Sequence, residues 1–382
     1  MDVVYLDNNA TTRPAPEVAA AMWPFLTERY GNPSSIHRLG QESRAAVDQA
    51  RSQVAALIGS NPNEIYFTGG GTEAINTAIV GLLKNRRPRR RIVTSSVEHS
   101  ATRELCEALA KEGAEIVEIP VNSEGLLDFG ALEAALNDQT ALATFMWANN
   151  ETGVIFPMER ISELCRARQI PLHCDGTQAV GKIAVDVKRM GADAMSFAAH
   201  KFHGPKGVGA LYARRGLRLP ALIVGGPQEI GRRGGTENVP GIVGMGAAAE
   251  LAGTHLGEMR CVAELRDRFE RRVLAEIPET RVIGRVDPRL PNTSNIAFAK
   301  LEAEAILLLL SEKGICASAG AACSSGSLEP SRVLLAMGIP PAIAHGAVRF
   351  SLSRFTTAEE IDKALEILPA VIDRLRRVLP VG

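Results

Sequence analysis

The chain has 382 residues, 46% of them hydrophobic, enough to bury a substantial core shared by two or so domains. Forty-three basic and 43 acidic side chains cancel, so net charge gives no reason to expect nucleic acid or a membrane surface as the main partner. The longest apolar run, Ala305 to Leu310, is far too short to span a bilayer, and the first residues carry no basic n-region or apolar h-region; a cytoplasmic protein is expected.

In chain order, Glu64 to Thr68 reads as a strand, followed by glycines and a helix through Ala74 to Val80. Arg91 to Thr94 is a second strand. Ala114 to Ile119, Ala141 to Trp147, Ile170 to Cys174 and Ala194 to Phe197 are further short ones. Helical segments at Thr102 to Glu112 and Met158 to Gln169 lie between them. This alternation predicts a mostly parallel sheet wrapped by helices. The basic stretch Lys84 to Arg91 joins a helix to a strand and has no interleaved aromatic residues, so it reads as a solvated connector.

After about Pro240 the texture changes. Val262, Leu265, Phe269 and Val273 share one helical stripe, Thr293 to Phe298 is a strand, Glu302 to Lys313 a helix, and Ala358 to Val378 a final helix. That is a smaller α+β unit. The predicted division is a large α/β domain at 14–255, with 1–13 and 256–382 forming the smaller domain.

The six cysteines include no C-x-x-C pair and no zinc-like spacing, which predicts reduced thiols, most of them packed in the core. His173 lies between core positions of a strand and reads as structural.

Chemistry concentrates where strands meet turns. Lys201 follows an apolar run and precedes the turn-forming stretch Phe202-His203-Gly204-Pro205, a setting suited to a lysine that holds a cofactor as a Schiff base. Asp175 ends an apolar stretch, which in a parallel sheet places it at the carboxyl edge where ligands bind. There it could pair with the ring nitrogen of pyridoxal phosphate, or simply cap a helix. Gly69-Gly70-Gly71-Thr72 opens a helix, so its backbone N–H groups can seat a phosphate; alone it fits a plain tight turn equally well. His99 occupies another strand-to-helix junction, where it could stack on a ring and move protons; without its companions it would read as structural. Cys323 sits in a run of Ala, Ser and Gly from Ala317 to Ser327 that cannot pack tightly and reads as a mobile loop, about 316–330. Cys316 adjoins an apolar element and reads as packed.

These residues stand within longer motifs. They are Tyr5-Leu6-Asp7-Asn8-Asn9-Ala10-Thr11-Thr12, Gly31-Asn32-Pro33-Ser34-Ser35-Ile36-His37, Ala148-Asn149-Asn150-Glu151-Thr152-Gly153, Gly234-Gly235-Thr236-Glu237-Asn238 and Arg349-Phe350-Ser351-Leu352-Ser353-Arg354-Phe355-Thr356-Thr357. Through them the chain closely resembles, nearly end to end, the pyridoxal-phosphate cysteine desulfurases of the NifS/IscS type. These belong to the class V aminotransferases on the type I, aspartate-aminotransferase-like fold, with a large mostly parallel sheet domain and a smaller α+β domain.

The resemblance implies a role for each position. Lys201 would carry pyridoxal 5′-phosphate, Asp175 would meet its ring nitrogen, and His99 would stack on the ring as acid and base. Gln178 would contact the ring's phenolic oxygen. Gly71, Thr72 and His200 would hold the phosphate, joined by Thr236 from the other subunit of a homodimer. Ala198 replaces a hydroxyl side chain that many relatives place on the phosphate. Asn150 and Arg354 would grip the carboxylate of L-cysteine. Cys323 would accept sulfur as a persulfide, leaving alanine, and pass it to an acceptor such as an iron–sulfur scaffold, where it could serve as a transient cluster ligand. Selenocysteine lyase or another class V enzyme is the alternative that the resemblance leaves open. A noncatalytic scaffold would need none of Lys201, Asp175, His99 and Cys323.

Overall fold

A computed structural model describes residues 3–86, 88–284, 287–320 and 329–378. After a short first strand, β1 (Val4–Tyr5), the predicted apolar runs form β2 (Ile65–Thr68), β3 (Arg91–Ser95), β4 (Glu115–Ile119), β5 (Thr140–Met146), β6 (Leu172–Asp175) and β7 (Ala194–Ala198), and the sheet gains a strand that the sequence analysis did not predict, β8 (Gly209–Ala213). They pair in the order β2-β8-β7-β6-β5-β3-β4. Both ladders made by β8 are antiparallel and the other four are parallel, so the expected mostly parallel sheet is present. Every residue of β5 is buried, as a central strand covered on both faces requires.

Most strand boundaries shift by a residue or two from the sequence expectation, and two of the shifts have a plain cause. Glu64 falls in a 3₁₀ turn whose start it caps, its carboxylate accepting from Asn61 N at 2.9 Å, and β2 begins at Ile65. β6 begins at Leu172 because Pro171 has no N–H to offer a ladder. It runs on to Asp175, so the acid is itself the last strand residue.

His173 is fully buried in β6 and ties its neighbours together. Its Nδ1 lies 2.8 Å from Thr144 Oγ1 on β5, and its Nε2 lies 2.8 Å from Ser196 Oγ on β7. Burial pushes its imidazole down to about 4, outweighing the opposing charge of Asp175, so the ring is a neutral cross-strand bridge. That is the structural role expected of it. Cys106, Cys165 and Cys174 are core residues, and burial drives their thiols upward, the first two to about 12. None of the three is a nucleophile at neutral pH.

At Gly209 a Cβ would stand 2.6 Å from the backbone carbon of Gly70, so only glycine lets β8 close against the turn that precedes the helix Gly71–Asn85. Gly209→Ala is expected to destabilise the fold by about 1–3 kcal/mol through overpacking. Chemical denaturation checks this; an unmoved midpoint would mean that the turn yields freely.

The C-terminal part has its own antiparallel sheet. Its strands are β9 (Thr280–Ile283), β10 (Thr293–Phe298), β12 (Ser318–Ala319) and β13 (Ala347–Ser351), paired in the order β12-β13-β10-β9. β1 pairs in parallel with β11 (Ile315–Cys316). Val4 and Leu6 therefore enter the apolar core built by the helices Met259–Glu276, Ala303–Glu312 and Ala358–Val378. On the first of these helices Val262, Phe269 and Val273 are buried, the face that the stripe predicted. Among the described residues no helix is long and apolar enough to cross a membrane.

Candidate active site

The sheet's topology brings the predicted site residues to one edge. Gly71 and Thr72 open a helix just after β2, and His99 caps the helix Ser100–Lys111 just after β3. Asn150 follows β5, Asp175 ends β6, and Ala198, His200 and Lys201 come at or after the end of β7. With Gln178, all nine line a single cavity of about 330 Å³ at the carboxyl ends of the parallel strands.

Each side chain is held by specific partners. Lys201 Nζ donates to Asn9 O at 2.7 Å and Ala10 O at 2.9 Å. Asp175 is buried, and its Oδ1 accepts from Thr177 N at 2.9 Å. His99 Nδ1 accepts from Ala101 N at 3.1 Å, which puts the proton of the neutral ring on Nε2. Glu98, one residue earlier, is buried, and its Oε1 accepts from Ser95 Oγ at 2.7 Å and Met146 N at 2.9 Å. Burial, aided by the charge of Asp175 and opposed by those two donors, raises its carboxyl to about 8. Glu98 is thus protonated at neutral pH.

The cavity suits pyridoxal phosphate at both ends. At one end, the helix Gly71–Asn85 opens without a side-chain cap among the described residues, and its first residues line an open space shared with His200 and Lys206. Thr177 Oγ1 is buried beside them with no hydrogen-bond partner among the described residues, 3.5 Å from where a Cβ on Gly71 would lie. His200 adds a neutral imidazole, since burial and the charges of Lys201, Lys206 and Lys182 lower it to about 4. At the other end Asp175 offers a buried carboxylate, the partner a pyridine nitrogen needs. The Ala198 methyl stands 3.5 Å from the Gly71 Cβ position, and it is this position that lacks a hydroxyl. Thr177 was not among the sequence candidates and supplies a hydroxyl at the same end.

Two predicted residues lie elsewhere. Arg354 lines a smaller cavity that shares Lys201 as a wall, with its guanidinium 4.3 Å from the Phe355 ring centroid. Among the described residues it makes no ion pair. Arg349 lines the main cavity instead, but it is already committed, donating to Asp7 Oδ1 at 2.8 Å and Asn150 O at 3.2 Å. Arg349 is therefore a tether between the two parts of the chain. Thr236 is exposed beside the buried Glu237 and lines neither cavity. Cys323 lies outside the described residues, although Gly320 lines the main cavity. Among the described residues no group of acids, histidines and cysteines could hold a metal ion.

Comparison with known proteins agrees with this geometry. The class V aminotransferase family profile matches residues 4–364. Cysteine desulfurase 2 of Trichormus variabilis is 52% identical over 380 residues, covering all of this chain and 96% of that protein. A cysteine desulfurase of Klebsiella pneumoniae is 53% identical over 381 residues, covering all of this chain and 95% of that one. A solved structure described as a NifS-like protein shares 36% identity at a TM-score of 0.92, over 98% of this chain and all of that one. Another, SspA in complex with cysteine, shares 33% identity at a TM-score of 0.81, over 92% and 99%. The chain belongs to the class V aminotransferases, enzymes that depend on pyridoxal phosphate and are built on the type I fold.

Proposed function

We propose that the protein is a cysteine desulfurase that takes the sulfur of L-cysteine onto Cys323 and releases alanine. The observation that carries this reading is one cavity walled by Lys201, Asp175, His99 and the N-terminus of the helix Gly71–Asn85, with Gly320, three residues before Cys323, on its rim.

Pyridoxal phosphate, once bound, supplies an electron sink for the substrate's α-carbon. The chain's own residues do the rest. Lys201 would hold the cofactor through its Nζ and could move the α-proton, with His99 holding a second proton at Nε2. Asp175 would keep the ring nitrogen protonated. Gly71, Thr72 and His200 would hold the phosphate, joined by Thr236 of the partner subunit in a homodimer. Asn150 and Arg354 would bind the substrate carboxylate; Arg354, which makes no ion pair among the described residues, offers the planar fork that task requires. The Cys323 thiolate then attacks the substrate sulfur. A bond forms between Cys323 Sγ and that sulfur as the carbon–sulfur bond breaks; the electron pair stays with carbon, which takes a proton and leaves as alanine.

The 1–13 and 256–382 segments form the smaller domain in this reading, and 14–255 the larger. The persulfide passes in the cytoplasm to an acceptor such as an iron–sulfur scaffold, where Cys323 can briefly ligate the nascent cluster.

The test is product release from L-cysteine in the presence of a reductant. Wild type is expected to yield sulfide and alanine in equal amounts. Cys323→Ser is expected to lose sulfide release while keeping the yellow cofactor. A yellow wild-type protein inert to L-cysteine would overturn the sulfur chemistry.

A further inference from the structure

Lys182 is buried between the two cavities, on the same turn as Gln178, and no carboxylate pairs with it among the described residues. Its Nζ donates instead to two side-chain amide oxygens, Asn9 Oδ1 at 2.9 Å and Gln178 Oε1. A buried lysine given only neutral acceptors is costly unless those bonds have a purpose. Burial, with the charges of Lys201 and Arg349, pushes its ammonium well below the ordinary value. Even as a neutral amine, Nζ keeps two N–H groups for its two acceptors.

These contacts settle which way the Gln178 amide faces. A charged Lys182 can only donate, so the atom it meets is then Oε1. At the other end Gln178 Nε2 donates to Asn9 O at 3.0 Å, a carbonyl that can only accept and that Lys201 Nζ also meets at 2.7 Å. Asn9 is itself held fast. Its Oδ1 also accepts from Asn292 Nδ2 at 3.0 Å, and its Nδ2 donates to Thr293 Oγ1 at 2.8 Å and Asn150 O at 3.0 Å. One hydrogen of Gln178 Nε2 is thus committed, and the second is left for the cavity that Gln178 lines.

We propose that Lys182 is a positioning residue for the cofactor, fixing the Gln178 amide through Oε1 so that Nε2 is presented as a donor to the cofactor's phenolic oxygen. This rests on the reading of Gln178 as the partner of that oxygen. A donor on the phenolate competes for its charge with the protonated nitrogen that links cofactor to Lys201. Weakening the donor therefore raises the pH at which that nitrogen loses its proton. The charged and titratable groups around Lys182 are Lys201 and Arg349, then His200 and His203, with His255 and Arg354 on the smaller cavity. None is changed in the test.

The experiment is an absorbance-against-pH titration of holoenzyme for wild type, Lys182→Met, Gln178→Leu and the double variant, each shown to be folded by thermal melting. In Lys182→Met the transition is expected to rise by about one pH unit, the worth of one hydrogen bond to a charged oxygen. In the Gln178→Leu background the Lys182 change is expected to add nothing, because both act through one amide. Shifts that add would show Lys182 acting by charge or packing alone and overturn the proposal. An unmoved Lys182→Met beside a shifted Gln178→Leu would overturn it while sparing the reading of Gln178. An unmoved Gln178→Leu would overturn that reading, and the proposal with it. Should Lys182→Met fail to fold, Lys182→Leu, which likewise removes the donor to Gln178 Oε1, carries the same comparison.

Discussion

Lys201→Ala is expected to give a folded protein that lacks the pH-dependent yellow absorbance of a lysine-linked cofactor and has lost about 10³-fold or more of its desulfurase turnover. The size of the loss follows from position. Lys201 is the one described lysine that walls both cavities, and it shares the larger with Asp175 and the first residues of the helix Gly71–Asn85. Its removal takes away the covalent anchor and the base that moves the α-proton together. The loss in stability should be modest, because the bonds to Asn9 O and Ala10 O that disappear are made to neutral backbone carbonyls. Turnover from L-cysteine, read beside circular dichroism, checks this. A variant that kept wild-type turnover would remove Lys201 from the chemistry.

Asp175→Asn separates charge from shape. The amide is isosteric and can still accept from Thr177 N at the Oδ1 position, 2.9 Å in the native protein. What it cannot do is hold a proton on the ring nitrogen, so the ring withdraws electrons less well. Turnover is expected to fall by about 10²–10³-fold, the range for losing one preorganised electrostatic partner of the reacting group. Stability should hold or rise, since a buried carboxylate is costly to desolvate. Loss of turnover without loss of melting temperature is the expected signature. Equal loss of both would mean that Asp175 is a structural cap, the plainer role that its sequence position also allowed.

Much of the scaffold was legible because its signals are local. The strand Thr293–Phe298 and the helix Ala358–Val378 carry their periodicity within themselves, and both form as expected. The βα alternation likewise implied a parallel sheet, and a parallel sheet places its strand ends, hence Asp175, Lys201 and His99, on one edge. Ala198 was visible as a departure from a pattern, but the nearby hydroxyl of Thr177 was not. Its proximity to Gly71 depends on how β6 and the turn after β2 approach one another.

In the sequence by itself, long motifs carried the resemblance to the reaction family, while strand, turn and helix propensities, which act over a few neighbouring residues, determined the sheet and the residue types brought to its carboxyl edge. Only the tertiary structure decided how those residues are held. Asn9 meets Lys182 across 173 residues and Lys201 across 192, and no periodicity spans such distances. Arg349 and Arg354 stand five positions apart in one motif, yet only the first is spent on Asp7, 342 residues away. A hydrogen bond is chosen by the atoms that packing leaves within about 3 Å of each other, and packing exists only once the chain has folded.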